Sequence, residues 1–161
     1  MKNTAQYRFV VSVLWIGFLL AISFMEAPMK FQAELVTLPI GLSVGKVIFN
    51  MLNKIEWVLL GLLLMAEVVA LRNRSSTFWV LALLAVLLIQ SYWLLPILDA
   101  RATAIINGAL PPASNTHFYY LALEVAKLTM LVLYTRAALV LFHSHIRHQS
   151  LPLMKPDIKP G

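Results

Sequence analysis

Two long stretches of this chain carry no charge. Phe9–Met25 holds 17 residues between Arg8 and Glu26, and Ser75–Leu98 holds 24 between Arg74 and Asp99. At 1.5 Å per helical residue, the second crosses the ~30 Å hydrocarbon core of a bilayer with room to spare, and the first only just does. Composition agrees. The 161 residues are 60% hydrophobic and 12% charged, whereas an ordinary soluble domain is about 45–50% apolar and about 25% charged. So few charges cannot cover so much apolar surface in water, which excludes a soluble globular enzyme and a disordered chain. The absence of cysteine excludes a disulfide scaffold, thiolate catalysis and thiol redox switching. The expected class is a small polytopic membrane protein, an all-α four-helix bundle running up-down-up-down.

Two further spans are interrupted by charge. Trp57–Leu71 contains Glu67, and Phe118–His143 contains Glu124, Lys127 and Arg136. The second helix is expected to start at Pro39, a good first-turn residue, and to run to Leu71 before an Arg72–Ser76 loop. Its 33 residues extend roughly 50 Å, so its early turns tilt or project past the lipid. The third starts near Ser76 or Thr77, is expected to kink at Pro96, and stops at Asn107-Gly108. Leu110–Thr116, with Pro111-Pro112, links it to the fourth. Spans at about 8–26, 40–71, 76–100 and 117–145 thus make one domain over 1–148, followed by a loosely ordered tail, 149–161, with three prolines. The first 25 residues also have a leader-like build, and they are read as a retained first span. No internal repeat is evident.

The net charge of +6 does not mark a nucleic-acid binder, because the basic residues flank apolar runs, where headgroups and topology account for them. With four spans, one side carries Lys2, Arg8, Arg72, Arg74, Arg147, Lys155 and Lys159. The other carries Lys30, Lys46, Lys54 and Arg101. This bias places both termini in the cytoplasm of a multi-pass protein, in a setting of the bacterial inner-membrane type.

A charge at the bilayer centre costs about 2.5–3.5 kcal/mol on insertion scales, so the charges of the second and fourth helices should point inward. Steps of three and four give one seam, Lys46, Asn50, Asn53, Trp57, Leu60, Leu64, Glu67 and Leu71, on the second helix. On the fourth they give His117, Tyr120, Glu124, Lys127, Leu131, Tyr134, Ala138 and Leu141. Matching depths predicts an upper ionic level of Glu56, Glu124 and Lys127 and a lower pair of Glu67 with Arg136, with these two helices face to face. Polar groups gather in the outer half: Glu26, Lys30, Lys46, Asn50, Asn53, Gln90, Tyr92, Asp99, Arg101, His117, Tyr119 and Tyr120. The candidate binding cluster is Glu26, Lys46, Asn50, Asn53, Glu56, Asp99, Arg101, His117, Tyr120, Glu124 and Lys127. Such a cluster can lock helices in register or form a solute- or proton-handling pocket.

Other motifs say less. Gly41-Leu-Ser-Val-Gly45 fits a small-xxx-small helix contact, within the fold or between protomers. A bis-His haem needs mid-membrane histidines, and His117, His143, His145 and His148 all sit at helix ends. His143-Ser-His145 could be a metal tract, but Arg147 beside it marks a basic interfacial tail. Trp15, Trp57, Trp79 and Trp93 are read as interfacial aromatic belts. No hydrolase triad, phosphate-binding glycine loop or HExxH motif is present. No cofactor or metal is expected.

Trp15-Ile-Gly17, Ser23-Phe-Met-Glu26-Ala-Pro28-Met-Lys-Phe31 and Gly41-Leu-Ser-Val-Gly45-Lys-Val-Ile-Phe49, with Asp99-Ala-Arg101 and Glu124-Val-Ala-Lys127, together resemble an uncharacterised four-span membrane family that includes the transmembrane-protein-205-like proteins. The resemblance covers roughly residues 14–130. It implies a four-helix membrane domain and no established activity. Copper-resistance-D-like and haem-linked four-span proteins share the architecture, but their chemistry does not carry over without mid-membrane histidines. The leading functional reading is a non-enzymatic accessory or scaffold protein, partnered by the bilayer and by itself or other membrane subunits. The alternative is a small-solute or proton-handling protein using the outer pocket. A third is an enzyme acting on a lipid or quinone, with Glu26 or Asp99 as acid or base.

Overall fold

The computed structural model describes residues 2–69 and 74–150, with side chains for 4–69 and 76–140. Among the described residues the chain is helical and builds four rods. The first is an α-helix over Lys2–Leu19, a π-helical segment at Leu20–Glu26, a short turn at Ala27–Met29 and a 3-10 turn at Lys30–Gln32. The second is one α-helix, Leu38–Val69, with Pro39 in its first turn. The third runs as an α-helix over Arg74–Ile89, a π-helical segment at Gln90–Leu94 and an α-helix over Leu95–Ile106. It ends as its sequence predicts. Gly108 takes φ +83°, Ala109 N–H donates to the Ala104 carbonyl and Gly108 N–H to that of Ile105, the Schellman arrangement that glycine permits. The fourth is an α-helix, Thr116–Ser150. Residues 70–73 and 151–161 lie outside the described residues; of the expected Arg72–Ser76 loop, Arg74–Ser76 are already in the third rod's helix, and the fourth rod's helix takes in the first two residues of the expected loose tail.

Each rod packs against its chain neighbours, and the first also packs extensively on the fourth, closing a ring. Short hairpin connections make sequence neighbours into spatial neighbours. The second and fourth rods therefore stand on a diagonal of the bundle. This corrects the expectation that they lie face to face; their long side chains meet across the bundle axis, Lys127 with Glu56, Tyr134 with Glu67 and Tyr120 with Phe49.

Three rods, over Thr4–Gln32, Leu38–Val69 and Ser76–Ile106, are long and apolar enough to cross a membrane. The bundle's outside is apolar, with Val47, Met65, Val68, Phe78, Trp93 and Val140 well exposed, while Glu56, Gln90, Glu124 and Lys127 have no exposed surface. Water would favour the reverse distribution, and lipid favours this one. Toward the end bearing the termini, Trp15, Leu19, Leu60, Leu63, Leu87 and Leu131 form the main apolar core. Trp15 is thus a core residue, which corrects its assignment to an interfacial belt.

The burial pattern contains a repeat that residue identities conceal. In the second rod Leu52, Glu56, Leu59, Leu63, Ala66 and Glu67 are buried; in the fourth, Tyr120, Glu124, Lys127, Leu131, Tyr134 and Thr135 are. Each of the second set lies 68 positions after its counterpart. The same spacing carries buried Arg8, Ser12, Trp15 and Leu19 of the first rod onto buried Ser76, Val80, Leu83 and Leu87 of the third. It also carries Pro28 onto Pro96, and the last residue of one π-helical segment, Glu26, onto that of the other, Leu94. The chain is thus two like-built hairpins. The expected absence of a repeat holds for residue identities and fails for burial.

The π-helical segments have a common physical cause. Proline lacks an N–H and its ring crowds the carbonyl four residues back. In both rods the backbone widens one turn before the proline, with Ala27 N–H donating to Ile22 and Leu95 N–H to Gln90. At Pro96, where a kink is expected, the missing donor is accommodated this way within a continuous helical backbone. Single π turns occur often at functional sites, and here they bury Ser23 and Gln90 at the level of the central charges.

Candidate functional site

At the centre of the bundle Lys127 Nζ lies 2.5 Å from Glu56 Oε1 and 3.0 Å from Glu124 Oε1, with all three side chains essentially unexposed. Its third partner is Gln90 Oε1 at 2.7 Å. Gln90 Nε2 in turn donates to Glu124 Oε1 at 3.0 Å, and Ser23 Oγ donates to Glu124 Oε2 at 3.2 Å. Trp15 Nε1 donates to Glu56 Oε1 at 2.9 Å. All four rods contribute, so the cluster joins both diagonals. Its charges do not balance, since two carboxylates share one ammonium. Glu56 Oε2 is buried without a hydrogen-bond partner.

Above this cluster, toward the end bearing the two hairpin loops at 33–37 and 107–115, a cavity of about 630 Å³ opens among the four rods. Ser23, Tyr120 and Glu124 form its floor, and its walls are mostly apolar, with Phe24, Phe31 and Phe49 among them. Tyr120 is 4% exposed. Its hydroxyl stands near the Glu124 carboxylate but makes no hydrogen bond of proper geometry. Lys30, Lys46, Asp99, Arg101 and His117 also line the cavity.

Near the rim Lys46 Nζ donates to Thr103 Oγ1 at 2.7 Å, and Arg101 Nη1 to the Pro112 carbonyl at 2.7 Å. Asp99 accepts from Asn50 Nδ2 at 2.8 Å. Lys30 Nζ reaches Glu26 at 3.4 Å and lies over the Phe31 and Phe49 rings, 5.6 and 5.5 Å from their centroids. The glycines explain that approach: a Cβ on Gly41 would strike the Phe31 ring, and one on Gly45 the Lys30 ammonium. The small-xxx-small stretch thus serves the fold, seating the end of the first rod.

Of the candidate cluster, Lys46, Asp99, Arg101, His117, Tyr120 and Glu124 line the cavity. Glu56 and Lys127 lie in the charge cluster beneath it. Asn50 braces Asp99 from behind. Asn53 points elsewhere, donating to Ser91 Oγ at 2.7 Å beside Trp57 Nε1 at 3.0 Å. Glu26 stands beside Lys30, with Oε1 buried and unpartnered. The upper part of the predicted second-helix seam, Lys46, Asn50, Asn53 and Trp57, therefore faces the third rod, while Glu56 faces the axis.

The lower pair differs from expectation. Glu67 Oε2 lies 3.0 Å from Arg8 Nη2, a charge contact without a linear hydrogen bond. Tyr134 Oη donates to Glu67 Oε1 at 2.8 Å, and Ser76 Oγ to Oε2 at 2.8 Å. Arg136 is exposed. Glu67 turns toward the first rod because that rod, not the fourth's outer face, is its immediate neighbour. The depth argument does not reach Arg8 because it counts that residue among the basic residues flanking the first apolar run.

Ser23, Gln90 and Trp15 are the other contributors whose roles the sequence concealed. Their signal was local: Ser23 and Gln90 each precede a proline by five or six residues. Among the described residues no group of acids and histidines could hold a metal ion. The side chains of His143, His145 and His148 lie outside the described residues. No protein family, curated protein or solved structure matches this chain.

Proposed function

We propose that this is an integral four-span membrane protein that binds a small solute in the cavity above the Glu56–Lys127–Glu124 cluster. The observation that carries this reading is the floor of the cavity, where the buried Tyr120 hydroxyl has no partner and Glu124 is already held by Lys127, Gln90 and Ser23. A buried hydroxyl left unsatisfied costs about 1–3 kcal/mol, and a ligand atom bonded to it would remove that penalty. The volume of about 630 Å³ falls in the range of small-molecule pockets, mostly apolar with a few placed polar groups. The Lys/Arg bias turns the cavity away from the cytoplasm and keeps both termini inside. The short-motif resemblance to a four-span membrane family is in keeping with this reading and adds no activity. An accessory or scaffold role draws only on the apolar outside, which lipid alone can cover.

The test is a plug. Ala27 and Ala102 line the cavity, so Ala27→Trp or Ala102→Trp should fill it. Full-length protein is extracted from its native membrane in mild detergent, denatured, and its released small molecules are identified by mass spectrometry. A stoichiometric compound from the wild type, missing from a plugged variant with the same melting midpoint, is the expected result. A wild type that releases nothing beyond the bulk lipid carried by both plugged forms overturns the proposal.

A further inference from the structure

The distribution of charge along the cavity narrows the occupant, and the argument rests on the solute-binding reading above. We infer that the cavity takes a single-chain amphiphile with an anionic head, a carboxylate or phosphate ester, held at the rim with its chain against the apolar wall.

The rim carries more cation than anion. Lys30, Lys46 and Arg101 line it against Asp99 and the Glu26 carboxylate 3.4 Å from Lys30, while the charge of Glu124 at the floor is taken by Lys127 at 3.0 Å. Two of those cations are not in ion pairs among the described residues: Lys46 donates to the Thr103 hydroxyl and Arg101 to the Pro112 carbonyl. Neutral acceptors leave their charges uncompensated, and charge-assisted bonds to an anion are about twice as strong as neutral ones. The Arg fork suits a planar carboxylate or a phosphate. Below the rim the surface changes character, to Phe24, Phe49, Leu95 and Leu98, which suits a hydrocarbon chain. A free metabolite anion would leave this wall wet, and a neutral hydrocarbon would leave the rim charges unused. A cationic amphiphile would place like charges together. One chain suits the volume, since pockets of this size enclose drug-sized molecules.

The experiment measures thermal unfolding of the full chain in a non-ionic detergent with four probes sharing a dodecyl chain: laurate, dodecyl phosphate, dodecanol and dodecylamine. Saturable stabilisation by laurate or dodecyl phosphate, and not by the alcohol or amine, is expected. Laurate alone assigns a free fatty acid, and the phosphate alone a phospholipid-derived occupant. Lys46→Gln and Arg101→Gln should each weaken binding of the effective anion about tenfold, read as the anion-induced shift relative to each variant's own unliganded midpoint. If the alcohol or amine stabilises as well as the anions, or if both substitutions leave anion affinity intact, the head-group inference is wrong and the cavity reading survives. If none of the four probes binds, the amphiphile inference is wrong, and the release experiment on the plugged variants decides the cavity reading separately.

Discussion

Lys127 uses all three of its N–H donors on buried acceptors, two carboxylates and an amide. An ammonium so placed is strongly determined by its surroundings, and removing it leaves two acids facing each other in a low dielectric. Lys127→Met should therefore destabilise the protein by about 3–5 kcal/mol, read as loss of folded fraction on denaturant titration in detergent. Adding Glu56→Gln and Glu124→Gln to that variant removes the stranded charge and should recover most of the loss. Failure of the triple variant to recover would show that the cluster contributes through its hydrogen bonds more than its charges. The lower level gives a second contrast. Arg8 is 5% exposed and in contact with Glu67, so Arg8→Met should cost about 3 kcal/mol. Arg136 is exposed, so Arg136→Ala should stay within about 0.5 kcal/mol. Equal losses for the two would restore the pairing that depth alone suggested.

Helices were legible in the sequence because their signals are local: uncharged length, Pro39 at a first turn, Gly108 at a stop. Inward charges on the fourth rod were legible too, since Tyr120, Glu124, Lys127, Leu131, Tyr134 and Ala138 keep one seam and are all buried. Which helix faces which was not. Lateral order depends on contacts among distant segments, and in lipid an apolar face carries little information, because Leu toward lipid and Leu toward Leu are nearly equivalent. The π-helical turns add an offset that a 3.6-residue period cannot follow. The repeat escaped notice because burial, not identity, is what recurs, with Leu59 of one hairpin standing where Lys127 stands in the other. That equivalence makes an element-level prediction. In Leu59→Lys with Lys127→Leu, the ammonium approaches Glu56 and Glu124 from the opposite rod, so the double variant should fold better than Lys127→Leu alone, as judged by melting in detergent. A double variant no better than the single would mean that the hairpins share burial but not geometry. The first rod's seat on the second offers another. Gly41→Ala drives a methyl into the Phe31 ring and should cost about 1–3 kcal/mol, whereas Gly45→Ala meets only the movable end of Lys30 and should cost less.

Seen as a whole molecule, the bundle has unlike ends. One holds a cavity among four rods with cations at its rim, and the other closes over leucines and a Glu67 ringed by donors. Such polarity matters only if the ends face different solutions, so the direction of insertion decides what the cavity can sample. The orientation proposed from the Lys/Arg bias would open the cavity to the non-cytoplasmic side, and the chain is well suited to a direct check because it contains no cysteine. Glu34 and Ser114 lie in the two loops of the cavity end and both are exposed. Single variants Glu34→Cys and Ser114→Cys should react with a membrane-impermeant maleimide added to intact cells. Arg72→Cys, between the second and third rods, should react only after the membrane is opened. The reverse labelling pattern would turn the cavity toward the cytoplasm, and an anionic amphiphile would then have to be drawn from the inner leaflet. Labelling of one hairpin loop without the other would mean that the second or the third rod, which lie between them, does not cross. A rod lying outside the bilayer could not bring Glu56 or Gln90 to Lys127 at the bundle centre, so that outcome would also remove the floor on which the cavity stands.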